Sequence, residues 1–457
     1  MRSWMLSAGE LGQGFAAGTL DPEGVLEDIV ARLEVVQPRV NALTLWDLEG
    51  ARAAARASRA RWQRGQPLSP LDGVVLTVKD NIPVAGLPCR WGSRLFQDFV
   101  PEADESPVAR LRAGGAVILG KTNVPEFTLQ GYTDNLLHGA TRNPWDLGLT
   151  PGGSSGGAAS AVACGLGPLA LATDGGGSIR RPASHTGVAG LKPSWGAVPR
   201  QQGLPEMLPG LEVIGPIARR VSDLVLALSV IGDARMGELA AQPPRPLRIA
   251  YWRAIGDGPV DAEILASSDA AAQALRELGH SVREETAPAS IDRFNRQAWP
   301  VISCTGLAAV LGPLGARAAE LTPALRAMLV RGRALPATDL FEAQAQARAL
   351  RAEMADLFTR IDVVLTPAAA ALPWPADSSH PPVIAGQPVD GRGHAVFTAF
   401  ANAAGLPGLA LPAAPSRAGL PIGIQLLAPR GADSLLLALG LQYEAAQPWH
   451  SRWPLVD

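Results

Sequence analysis

Gly152-Gly153-Ser154-Ser155-Gly156-Gly157 and, past a run of small residues, Thr173-Asp174-Gly175-Gly176-Gly177-Ser178-Ile179-Arg180 decide how this chain is read. Ser154 and Ser178 each stand in a glycine cluster. Glycine admits positive φ and lets the backbone come close to a ligand. Successive N–H groups in such turns form a concavity for an anion. A hydroxyl set in that concavity has a stabiliser at hand for the oxyanion of acyl transfer. Between the clusters, Ala158 to Cys164 reads as a helix of small residues and Gly167 to Thr173 as a short buried strand. Ser154 therefore opens a helix, whose first N–H groups can face an anion, and Ser178 follows a strand.

Upstream, Val74 to Val78 is a nearly continuous apolar, β-branched run, the pattern of a strand buried on both faces. Lys79 ends it, at the carboxyl edge where open α/β sheets hold their ligands. A lysine acts as a base only when neutral, and from a pKa near 10.4 deprotonation at neutral pH costs about 4 kcal/mol. Burial lowers a lysine by roughly 3–5 units and removes most of that cost. Ala116 to Gly120 is a second such strand, ending at Lys121, which competes with Lys79 for the same role.

The remaining segments alternate in the manner of an α/β chain. Asp21 to Gln37 carries apolar residues at helical spacing behind an Asp21-Pro22 start. Ala51 to Arg64 reads as a solvated Ala/Arg helix, Val108 to Ala113 as a helix stopped at Gly114-Gly115, and Glu126 to Asp134 and His138 to Asp146 as loops. After the helix Val221 to Ile231 comes a Pro-rich hinge, Gln242 to Pro246. Leu247 to Trp252, Asp261 to Leu278 and His280 to Glu284 then form a βαβ unit. Leu321 to Arg360 reads as long-helical with Phe341, Ala345 and Leu350 inward, and Asp362 to Thr366, Leu409 to Leu411 and Ile422 to Leu427 as strands.

Bulk properties narrow the classes. With 457 residues, 47% apolar and 18% charged, the chain can bury a large core and is not disordered. A formal charge of −2 gives no pull toward nucleic acid or anionic membrane. Cys89, Cys164 and Cys304 make neither a disulfide framework nor a CxxC metal site. Met1 to Phe15 lacks the apolar centre of a secretory leader, and no run of about 18 apolar residues occurs, so a soluble, cytoplasmic enzyme without metal or cofactor is expected.

Rival chemistries fit less well. Gly-x-Ser-x-Gly occurs twice, at Ser154 and Ser155, but the nucleophile elbow needs a strand directly before it, and Asn143 to Pro151 is turn-rich. None of His185, His280, His380, His394 and His450 lies in an informative context for that elbow's triad. A phosphate-binding loop lacks its Gly-Lys-Ser/Thr, and no serine stands three positions before Lys79, Lys121 or Lys192.

The Lys79 strand, the 152–157 cluster and Asp174 to Arg180, in this order, resemble the amidase signature family, strongly over residues 66–220 and more loosely elsewhere. Later echoes are Asp362 to Pro367, Ala404-Gly405-Leu406-Pro407 and Leu420 to Gln425. The resemblance implies a triad with Ser178 as nucleophile, Ser154 as bridging serine after a cis peptide, and Lys79 as base. It also implies an oxyanion hole from the N–H groups of Gly175, Gly176, Gly177 and Ser178, supported by Ser155, Asp174 and Arg180. Gly175 departs from the pattern, where relatives often carry a larger residue such as Ile.

The expected fold is one large α/β domain over 1–457, a mixed β-sheet covered by α-helices on both faces. Residues 1–65 give an N-terminal helical segment, 66–230 the signature core, and 245–457 a half that completes the sheet and pocket. The expected activity is hydrolysis of a small-molecule carboxamide through an acyl-enzyme, with no nucleic-acid or membrane partner and a homodimer allowed. The alternative within the family is the glutamine-hydrolysing component of a tRNA-dependent amidotransferase, which works inside a multi-protein complex. That type usually carries Phe-Gly-Tyr-Arg and an acidic residue before Ile/Val-Phe-Thr. Here the first is missing and Gly393-His394-Ala395 precedes Val396-Phe397-Thr398. An α/β-hydrolase-type esterase is the more distant alternative. The loop Phe127 to Asp134 and the surroundings of Trp299 and His394 are candidates for shaping the pocket, with Trp299 read as core.

Overall fold

Parallel strands buried on both faces demand helices above and below them, and the chain supplies both. The computed structural model describes residues 2–456; Met1 and Asp457 lie outside the described residues. In chain order the strands are β1 (Leu43–Trp46), β2 (Val75–Lys79), β3 (Val117–Thr122), β4 (Leu169–Asp174), β5 (Ala189–Lys192), β6 (Val213–Ala218), β7 (Arg248–Tyr251), β8 (Ser281–Glu284) and β9 (Val363–Pro367). A small hairpin, β10 (Val383–Ile384) and β11 (Gln387–Pro388), precedes β12 (Gly408–Pro412) and β13 (Gly423–Leu427).

Eleven of these strands form one sheet in the order β1-β3-β2-β4-β6-β5-β12-β13-β9-β7-β8. Two parallel blocks, β3-β2-β4 and β9-β7-β8, flank an antiparallel centre. The mixed sheet of the sequence reading is thus present in a single domain. Leu76, Val78, Leu169 and Leu171 face a core completed by the helices Val221–Ile231, Ala262–Glu277 and Asp433–Ala446. On the other face, Ala170 and Ala172 meet Ala158, Ala159 and Val162 of the helix Gly156–Ala163. Alanine against alanine lets this helix lie close to the sheet, which is the use of the small residues between the two serine clusters.

Some local readings change. Leu321 to Arg360 is two helices, Pro323–Ala334 and Ala337–Arg360, because Pro336 cannot continue the first and holds Leu335 extended. The inward face of the second is Ala343, Ala347, Leu350, Met354 and Leu357, while Phe341 is 67% exposed. A central strand, β6, was not legible at all. It contains Gly215 and Pro216, which argue against a strand interior, yet Pro216 pairs with Leu171 and a side chain at Gly215 would strike the Leu191 carbonyl. The three cysteines are free and buried, and no helix among the described residues is long and apolar enough to cross a membrane.

Candidate active site

β2 and β4 run parallel as direct neighbours, with Val78 opposite Leu171, so Lys79 and Thr173 emerge at the same edge. Lys79 is fully buried and its Nζ lies 2.8 Å from Ser154 Oγ, 2.8 Å from Thr173 Oγ1 and 3.3 Å from the Thr173 carbonyl. Asn81 Nδ2 donates to the same Thr173 hydroxyl at 3.2 Å. Burial pulls the Lys79 ammonium down to about 7; Glu212 and Asp174 oppose this, and Arg200 and Arg181 add to it. Lys121 ends β3 in the same way but donates to the Ile82 carbonyl at 2.6 Å and lies 4.0 Å from Asp80 Oδ1. Lys192, also drawn down by burial to about 7, donates to the Pro193 carbonyl at 2.9 Å. Of the three buried lysines, Lys79 is the one in contact with a serine of the glycine clusters.

The two clusters are fastened to each other. The Ser155 N–H donates to the Ser178 carbonyl at 3.1 Å, and Ser155 Oγ to the Thr173 carbonyl at 3.2 Å. The Gly153–Ser154 peptide is cis. The helix that Ser154 precedes does not offer its first amides to a ligand: Gly156 N–H donates to Thr133 Oγ1 and Gly157 N–H to the Asn123 carbonyl. The donors lie instead in the loop after β4.

Asp174 shapes that loop. Its Oδ1 accepts the Gly177 N–H at 2.7 Å and its Oδ2 the Ile179 N–H at 3.0 Å, while Arg180 grips both oxygens through Nη2 at 2.8 Å and Nε at 3.0 Å. Gly177, at φ 115°, takes a conformation that other residues rarely adopt, and a side chain there would meet Thr398. Of the four amides expected to form the oxyanion hole, that of Gly177 is thus engaged by Asp174. The amides of Gly175, Gly176 and Ser178 have no partner among the described residues. Leu208 Cδ1 stands 2.6 Å from where a Cβ on Gly175 would lie, so a neighbouring leucine fills the space of the missing side chain.

The C-terminal half clamps this loop. Thr398 Oγ1 donates to the Gly176 carbonyl at 2.7 Å, and Arg180 Nη1 reaches the Thr398 carbonyl and Gln425 Oε1 at 3.1 and 2.6 Å. Asn402 Nδ2 donates to the Asp174 carbonyl at 2.8 Å. The Val396-Phe397-Thr398 and Ile422 to Gln425 motifs therefore act on the glycine loop itself.

In front of the loop lies a small cavity. Ser178 lines it and is 7% exposed, whereas Lys79 and Ser154 lie fully buried. Trp299, read from sequence as core, is 7% exposed but also lines the cavity, beside Arg181 and Arg392. Neither arginine was singled out in the sequence. The doubling Arg180-Arg181 was the available signal for the first; Arg392 stands alone in a loop and gives none. His185 contacts the Ala371 carbonyl at 3.2 Å, and no histidine among the described residues hydrogen-bonds Ser154, Ser155 or Ser178.

The Amidase family model matches residues 24–437. An acylamidase from Rhodococcus erythropolis is 34% identical, over 98% of this chain and 97% of its own. A Glutamyl-tRNA(Gln) amidotransferase component from Roseiflexus sp. (strain RS-1) is 33% identical, over 98% of each chain. A solved bacterial aryl acylamidase, described as belonging to the amidase signature enzymes, superposes with a TM-score of 0.90 at 30% identity, over 98% of this chain and 97% of that one.

Proposed function

The chain belongs to the amidase family and is an amide hydrolase, and from that premise we propose that it cleaves a small-molecule carboxamide through an acyl-enzyme on Ser178. The observation that carries this reading is the 2.8 Å contact between a buried, weakly basic Lys79 and Ser154, set behind a Ser178 that reaches the cavity.

In this mechanism neutral Lys79 takes the Ser154 proton as Ser154 takes that of Ser178, and Ser178 Oγ bonds to the amide carbonyl carbon. The amides of Gly175, Gly176 and Ser178 are the free donors for the oxyanion. The relay returns the proton to the leaving nitrogen as the C–N bond breaks. Water, giving its proton to the same relay, then releases the carboxylate and restores Ser178. Thr173 and Asn81 hold the lysine head, and Asp174 and Arg180 hold the loop.

The pH profile follows from the sign of the Lys79 shift. A protonated amine cannot accept, so kcat/KM rises about tenfold per pH unit below about 7 and levels above it. Ammonia release measured from pH 5 to 9 checks this; a profile flat through pH 7 removes Lys79 as the base. Ser178 is located directly by fluorophosphonate labelling and peptide mass mapping, and a label on another residue overturns the assignment. Glutamine hydrolysis that rises on adding a partner protein would favour the amidotransferase reading instead. The sequence speaks against that reading, since Gly393-His394-Ala395, with no acidic residue, precedes Val396-Phe397-Thr398. In the fold His394 is buried, and burial drives its imidazole well below its usual range.

A further inference from the structure

We propose that the substrate carries a carboxylate close to its scissile amide, and that Arg181 and Arg392 receive it. The inference rests on Ser178 being the reacting group of the cavity and names the substrate class it takes.

Arg181 and Arg392 both line the cavity that Ser178 faces. Arg181 is 3% exposed, and every acceptor it has is neutral: the Gly176 carbonyl at 2.9 Å, Thr398 Oγ1 at 3.3 Å and the Gly153 carbonyl at 3.4 Å. Its Nε is buried without a hydrogen-bond partner. The Arg392 guanidinium lies 4.7 Å over the Trp299 ring, and among the described residues it makes no hydrogen bond or ion pair. Asp390 accepts the Arg392 backbone N–H at 2.8 Å.

The carboxylates nearby are already matched. Asp174 is gripped by Arg180 at 2.8 Å, and Glu212, on the cavity wall, is paired with Arg200 at 2.6 Å. Arg200 also holds Glu105 at 2.7 Å. Asp390 attracts Arg392 from an exposed position and Asp174 attracts Arg181 while bound to Arg180, but neither guanidinium, Arg181 buried and Arg392 part-buried, makes an ion pair among the described residues. Charged side chains are almost never buried unpaired, and here the missing partner is an anion brought by the ligand.

Electrostatics supports the same point. Burial, then the Arg392 charge, draws Arg181 down to about 9, and burial draws Arg392 down to about 10, so both remain cationic at neutral pH. A guanidinium is a planar fork that matches a carboxylate through paired N–H bonds, and the Trp299 face fixes the plane of one of them. Ser178, Arg181 and Arg392 line the same small cavity, so a ligand that reaches all three carries its amide and its carboxylate close together.

The test uses matched pairs: succinamate against butyramide for a carboxylate on the acyl side, and N-acetylglycine against N-ethylacetamide for one on the leaving side. The carboxylate-bearing member of at least one pair should be favoured by about a hundredfold or more in kcat/KM, because a site built for a polar group rejects its absence. Arg392→Gln should remove most of that preference through KM, and Arg392→Lys should restore part of it. Succinate should bind the Ser178→Ala protein saturably by calorimetry, and Arg392→Gln should weaken that binding about tenfold or more. Cleavage of neutral members as well as charged ones, without succinate binding, overturns the inference and leaves the hydrolase standing. Succinate binding by a protein whose Ser178 takes no fluorophosphonate and which cleaves no amide overturns the hydrolase reading instead and leaves only an anion site at the two arginines.

Discussion

Ser178→Ala lowers amide turnover by about four orders of magnitude or more, and Lys79→Met falls nearly as far while making the fold more stable. The first half follows from a nucleophile and base that act as one unit, where losing either member removes most of the rate. The double variant should then be scarcely worse than either single one, and additive losses would mean that the two residues do not share a proton path. The second half follows from where the lysine sits. In the unfolded chain its pKa is near 10.4, and in the fold about 7, so below pH 7 the fold buries a charged lysine and near pH 7 it begins to discharge it, at a cost of about 5 kcal/mol. Between pH 7 and about 10.5 the unfolded chain binds the extra proton, so this cost shrinks and stability rises with pH across that window. Methionine keeps the length and removes the charge, but gives up the contacts to Ser154 and Thr173, worth roughly 1 kcal/mol each. A net gain of about 2 kcal/mol near pH 7, fading toward pH 10, is expected in urea unfolding. A Lys79→Met protein less stable than the parent throughout that range would show that the lysine is not held neutral.

What the sequence disclosed about this site was its chemistry along the chain, and what it concealed was contact across the chain. Lys79 was legible because a continuous apolar strand announces burial, and the serines because glycine clusters announce strained turns. The choice between Lys79 and Lys121 comes from the family resemblance and not from the strands themselves: both end buried strands, and it is across the chain that Lys79 meets Ser154 while Lys121 meets the Ile82 carbonyl. Gly177 enters the expected oxyanion hole through the family resemblance, and no spacing in the chain discloses that the Asp174 carboxylate three residues earlier takes its N–H. Arg181, Thr398 and Arg392 were missed because their roles depend on elements more than two hundred residues apart. The surroundings of Trp299 are a pocket candidate in the sequence while the ring itself reads as core; it is both buried and on the cavity wall. The same limit explains β6, which no pattern in the sequence announces and in which Gly215 leaves room for the Leu191 carbonyl of the neighbouring strand.

Asp174→Ala should cost about 3–5 kcal/mol of stability and, in whatever folds, most of the activity. Both partners of the Asp174–Arg180 pair are fully buried, and removing one strands the other without water to solvate it. Burial by itself pushes the Asp174 carboxyl up, but the Arg180 charge and hydrogen bonds, Lys192 and the Ile179 amide outweigh it and hold the group well below the usual carboxylate range. Its contribution is therefore complete above the unfolded pKa of about 4 and is lost only as the pH falls far below that, so the parent protein and Asp174→Ala should differ by the same amount at pH 6 and pH 8. The loss of activity has a separate origin. Without the carboxylate the Gly177 N–H is unanchored, and the loop can turn away from the line that presents Gly175, Gly176 and Ser178. Asp174→Asn separates the two effects: an amide oxygen can still accept the Gly177 N–H while the charge facing Arg180 is gone. It should lose stability nearly as far as Asp174→Ala but keep a larger share of kcat among the molecules that fold, measured by active-site titration with a fluorophosphonate. Equal kcat in the two variants would assign the carboxylate to stability alone and leave the loop's shape to Thr398, Asn402 and Arg181.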